Sequence, residues 1–248
     1  MLDLPIISAS RLFHIGTMNA EHRGRNWSTS QEGNCLSVSV TPHAWQDIAK
    51  LGGYDLHKLT KEGGQLVDIR ATLGSDAMED IRAWAVENGL AELREVFKGW
   101  EYDPDNETWS FSYFDSFDDA MDNIDMDGEY EGELKRIPKP RGANAAIETV
   151  EVHGATKALS ELVGGAYGQS DDVSDMLVVA YALKHMEVDG VWWADAFEPD
   201  VLSAPRGGIF PNKLAEWSAV EIDFDDVDDD DELNLLDEIM AGQSAPAP

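Results

Sequence analysis

Three groups of residues carry side chains able to do chemistry. The first lies in RLFHIGTMNAEHRGRNWS, Arg11 to Ser28, where His14 follows a short apolar pair and Gly16, Thr17, His22, Arg23 and Arg25 come within a dozen residues. An imidazole at a strand end can donate to a polar ligand where the strand meets its loop, and a nearby glycine permits close backbone approach. Arginine offers a fork of donors suited to pyrophosphate or carboxylate. The second group is Ser37 and Ser39 in CLSVSV, where period-two alternation places both hydroxyls on one face. The third is Asp195 in VWWADAFEPD, a carboxylate just beyond an aromatic strand and suited to stabilising a cationic intermediate. Asp189, Glu198 and Asp200 compete for that role, and Arg206 in PRGG is a further base. Each also has a plainer reading: a satisfied histidine, arginines paired with some of the many carboxylates, an acid in a surface turn.

Other chemistries leave no trace. HExxH, paired-cysteine and EF-hand spacings are absent, and His14 and His22 stand eight apart across a loop, so no metal site is expected. No GxGxxG follows a strand, and there is no Walker lysine motif or GxSxG elbow. Cys35, the single cysteine, reads as a core thiol and excludes an internal disulfide.

The elements that must position these residues follow from local pattern. RLFHI and CLSVSV read as strands, and TPHAWQDIAKLGG as a helix with Thr41 as cap and Pro42 in its first turn. GQLVDIRATL reads as a strand. SDAMEDIRAWAVENGLAELREVFKGW reads as one or two helices broken near Gly89, capped by Ser75. WEYDPDNETWSFSYF suggests a hairpin and SFDDAMDNI a helix. KRIPKPRGANAAIE resembles a surface connection, and SDDVSDMLVVAYALKHMEVDG a helix. GVWWA and EWSAVEIDF are strands, with Val191 and Trp193 facing one way and Trp192 the other; PRGG between them is a flexible turn.

Charge is the strongest bulk signal: 18 basic against 49 acidic residues in 248 give a net charge of −31. Such a field repels nucleic-acid backbones and anionic membranes, so direct binding to either is not expected. It suits a basic or nucleic-acid-binding protein partner, imitation of DNA, or simple hydration in a salty cytoplasm. The 43% hydrophobic fraction, with eight tryptophans, is enough for a sizeable core. No apolar run reaches membrane-spanning length and no secretory signal is evident, so a cytoplasmic protein is expected. The acidic tail, 225–248, is expected to be partly disordered, with LNLLDEIM as a short amphipathic helix within it.

The order LFHIGT, LSVSVTPHAW, then DGVWWADAFEPDVLSAPRGG resembles the ADP-ribosyltransferase-like superfamily, in its histidine-first bacterial and phage form. The resemblance covers roughly residues 9–70 and 172–224. It implies an α+β fold with a split, bent β core, peripheral helices and an acidic insertion at about 75–170, in a single domain over 1–224. It further implies NAD as cofactor, cleavage of the nicotinamide–ribose bond, and transfer to a protein or nucleic-acid-associated target. By this likeness His14, Gly16, Thr17, Ser37, Ser39, Arg23 and Arg25 bind the dinucleotide, and Asp195 with His14 is catalytic. Serines stand where many relatives carry tyrosine, and the third-motif acid is aspartate where many carry glutamate. The alternative is an acidic DNA-mimic binding or inhibitor protein without catalysis.

Overall fold

The computed structural model describes residues 2–18, 33–103, 108–124, 145–164, 173–195 and 204–227. It is a mixed α+β fold with three sheets. Strands β1 (Ile6–Ser8), β5 (Gln65–Asp68), β9 (Gly190–Trp193), β10 (Arg206–Ile209) and β3 (Leu36–Val38) form the first sheet in that order. Only β5 and β9 are parallel neighbours. The second sheet orders β11 (Ser218–Ile222), β4 (Leu56–Thr60) and β2 (Arg11–Ile15), all antiparallel. One bridge joins the two: Phe13 and Ser39 exchange backbone N–H···O bonds, each of 2.8 Å.

Alternation along the strands explains the layering. Val67, Val191 and Trp193 face a core shared with α2 (Ile69–Leu73), α3 (Ala77–Glu87), α5 (Lys157–Val163) and α6 (Ser174–His185). Leu36, Val38, Leu66 and Trp192 face the opposite way, onto Leu12, Phe13, Leu56 and Leu59 of the second sheet. The first sheet is thus covered by helices on one side and by strands on the other. The opposed directions of Trp192 and Trp193 agree with the sequence pattern, and Cys35 is buried in the helix-side core.

Several elements depart from the sequence reading. GQLVDIRATL is a strand only to Asp68, whose side chain accepts from the Ala71 N–H at 2.9 Å and so starts α2. Ser75 does not cap α3; its hydroxyl donates to the Thr72 carbonyl at 2.7 Å. AELREVFKGW is not helical. It opens β6 (Ala91–Asp103), paired along its length with β8 (Ala145–Ala155). Cross-strand pairing there overrides a local helical preference. The expected hairpin is present, with β6 opposite β7 (Thr108–Phe114) and Asp103 facing Thr108. Helix α4 (Phe117–Asn123) is capped by Ser116, whose hydroxyl accepts from the Asp119 N–H.

The largest correction concerns PRGG. Arg206–Ile209 is not a turn but a buried central strand between β9 and β3. Its glycines serve packing: a Cβ on Gly207 would stand 2.8 Å from the Trp192 ring, and one on Gly208 2.7 Å from the Cys35 Cβ.

The segment 75–170 is built into the fold at both ends. Met78, Ile81 and Ala85 of α3 and Leu159 and Val163 of α5 belong to the helix-side core. The third sheet, ordered β7-β6-β8, lies between them in sequence. Arg23, Arg25, His22, Glu198, Asp200 and the tail from residue 228 lie outside the described residues. Among the described residues no helix is long and apolar enough to cross a membrane.

Candidate functional site

His14 sits at the joint between the first two sheets. It is buried on β2, directly opposite His57 of β4, and the two rings stack with centroids 6.2 Å apart. Nδ1 lies 2.8 Å from the Ser37 carbonyl on β3, and Nε2 lies 3.2 Å from the Thr17 carbonyl. Only an imidazolium donates to both. The neutral ring protonated on Nδ1 keeps the shorter bond and presents Nε2 as an acceptor. Gly16 makes the turn that brings Thr17 back: its φ is +124°, a region that disfavours side chains, and a Cβ there would lie 3.5 Å from Nε2.

The structure therefore gathers His14, Gly16, Thr17 and Ser37. Ser39 is also at the joint, since it pairs with Phe13, and its hydroxyl donates at 3.5 Å to the Pro205 carbonyl, next to Arg206. It accepts from the Thr41 N–H at 3.0 Å and lies 3.3 Å from the Thr41 hydroxyl, a local turn ahead of the helix. Thr41 itself makes no capping hydrogen bond to α1 (Pro42–Ile48).

Asp195 lies elsewhere. It follows β9, and the strand beside β3 is β10, so the strand order from the joint runs β2, β3, β10, β9. Arg206, which holds Asp195, continues the β10–β3 register to the level of Ser39. One carboxylate oxygen of Asp195 accepts from Nε and a terminal nitrogen of Arg70 at 2.8 and 2.7 Å, and the other from Arg206 at 2.8 Å. The side chains of Asp195 and Arg206 are each 8% exposed. Arg206 rests over the Trp193 ring at 5.8 Å, and Trp193 donates its indole N–H to Asp175 at 3.1 Å. Burial works against the charge of Arg70. The hydrogen bond and charge of Asp195, with Asp175 and Asp68 beyond, outweigh it and hold the guanidinium above its ordinary pKa.

Asp189 is also committed, accepting from Lys61 and, at 2.8 Å, from the Gln65 N–H. Lys61 also donates to Glu216 at 2.6 Å. These two bonds, Asp189 first, raise the Lys61 pKa; the Lys61 bond lowers that of Glu216, despite partial desolvation. Sequence reasoning missed His57, because LHKLT was not identified as a strand, and Arg70, which was placed in a strand and whose partner is 125 residues away. No cluster of three histidine, cysteine or acidic side chains able to hold a metal ion occurs among the described residues.

Chemically the two places differ. At the joint, a ring nitrogen meets a backbone carbonyl on a turn, which a ligand hydroxyl could replace. At the Asp195 cluster, one carboxylate between two guanidinium groups leaves little net negative field for a developing cation. No protein-family model, curated protein or solved structure matches this chain.

Proposed function

We propose that this protein binds NAD at the joint between its first two sheets and acts as an ADP-ribosyltransferase on a protein or nucleic-acid-associated target. The observation that carries the reading is the seating of His14, hydrogen-bonded to the backbone of the serine-bearing strand beside a turn made by glycine. In this reading a ribose hydroxyl donates to Nε2 and takes the place of the Thr17 carbonyl, beside the Ser37 and Gly16–Thr17 backbone. Arg23 and Arg25 supply positive charge toward the pyrophosphate. Asp195 is given a positioning role: it fixes Arg206, which the strand register carries to the level of Ser39.

The test is incubation with labelled NAD, alone and with cell lysate, following nicotinamide release and label transfer. Binding lost in His14→Asn supports the reading; no binding by the parent protein ends it. Asp195→Asn separates its roles. Release abolished with NAD binding and fold intact would return this carboxylate to the transition state. The charge of −31 favours a second reading, an acidic imitator of a phosphate backbone, tested by titrating a basic nucleic-acid-binding protein at low and raised salt.

A further inference from the structure

We infer that β7 is a docking edge to which a partner protein adds an extended, lysine- or arginine-bearing segment as a fourth strand of the third sheet. This surface is independent of the NAD site. β7 stands at the end of its sheet, paired with β6 alone among the described strands. Its sequence, TWSFSYF, has no charge and no proline, the features that ordinarily protect an edge from added strands. Ser110, Phe111 and Ser112 are exposed, Phe111 by 48%.

Two observations select a basic partner. The Lys98 ammonium lies 4.0 Å from the Trp100 ring, 3.8 Å from Phe111 and 5.6 Å from Tyr113, so this face already seats a cation on aromatic rings. The surroundings are predominantly acidic: there is no lysine or arginine from Glu101 to Glu133, Asp118, Asp119 and Asp122 are exposed beside the strand, and of the nearby bases Arg94 is paired with Asp115 and Lys98 lies against the rings. Nucleic acid is repelled by the same charges. A second copy of the chain would set these carboxylates against one another. Strand addition supplies main-chain hydrogen bonds, and the acidic rim and the rings select the side chains.

The probe is a labelled peptide of alternating lysine and valine, followed by fluorescence polarisation with the full chain. Binding is expected at low salt and should weaken about tenfold at raised salt. Hydrogen exchange in the parent protein should slow at Ser110–Phe114 when the peptide is added. The double variant Ser110→Lys, Ser112→Lys should lose about tenfold in affinity while its melting temperature holds. Four results each overturn the proposal: no binding at low salt, equal binding of a glutamate–valine peptide, binding with no slowed exchange at β7, and dimers that protect β7 without peptide. The exchange measurement needs no variant, so a misfolded double mutant does not leave the question open.

Discussion

The joint at His14 and the cluster at Asp195 both hold buried polar side chains, but they hold them differently. The two ring nitrogens of His14 face backbone carbonyls, one on a strand and one on a glycine-made turn. Asp195 is tied to two guanidinium groups at 2.7 to 2.8 Å. With the ring neutral and protonated on Nδ1, Nε2 faces the Thr17 carbonyl acceptor to acceptor, so a ligand hydroxyl donating to Nε2 gains a hydrogen bond there. Freeing Asp195 means breaking charge-assisted bonds that offset its desolvation. Of the two, changing a partner disturbs less at the joint than at the cluster.

The strongest way to break this contrast is Asp195→Ala. It takes from the buried Arg206 and from Arg70 the carboxylate they share, Arg206 keeping its bond to the Ala204 carbonyl, and should destabilise the protein by about 3–5 kcal/mol, read by denaturant unfolding. A loss under 1 kcal/mol would remove the cluster from the stabilising frame. Next, Gly208→Ala forces a Cβ to 2.7 Å from that of Cys35 and should cost about 1–3 kcal/mol. A neutral result would mean that β10 can shift, and with it Arg206.

His14→Asn should cost only about 1 kcal/mol of stability, since the amide can keep the bond to Ser37. Isothermal titration should nonetheless show NAD affinity falling at least about tenfold. The opposite pattern, a large loss of stability with unchanged NAD affinity, would make the joint a structural feature alone.

The smallest effect concerns pH. The Glu216 pKa is lowered in the folded state by Lys61, so its contribution is present above the unfolded value of about 4.3 and fades as pH falls through the folded one. The Lys61 pKa is raised, so its contribution holds below about 10.4 and fades as pH rises through the folded value. Lys61→Met should flatten the acid limb of the stability profile slightly; an unchanged limb would show that the pair is solvent-screened.

Where period and local chemistry agreed, the sequence was readable. Leu36, Val38 and Val40 opposite Ser37 and Ser39, and Trp192 opposed to Trp193, gave both faces of the first sheet correctly. Pro42 marked the first residue of α1. What escaped was set by distant contacts. Gly207 and Gly208 looked like a turn because glycine frees the backbone, whereas here they leave room for Trp192 and Cys35. AELREVF carries no decisive period, and β8, which starts more than 40 residues beyond it, fixes it as strand. The sequence reading set His14 and Ser37 around one ribose, but the bond between the ring and the Ser37 backbone carbonyl was not in it. The Arg70–Asp195 pair could not be expected, because neither neighbourhood hints at the other.

The adjacent tryptophans between β5 and β10 give an optical handle on the two cores. Trp193 is bonded to a carboxylate in the helix-side core, while the indole N–H of Trp192, facing the second sheet, meets no acceptor among the described residues. An unbonded indole in apolar surroundings emits further to the blue than a bonded one. Comparing the emission of Trp192→Phe and Trp193→Phe during unfolding would therefore reveal which side of the central sheet loosens first.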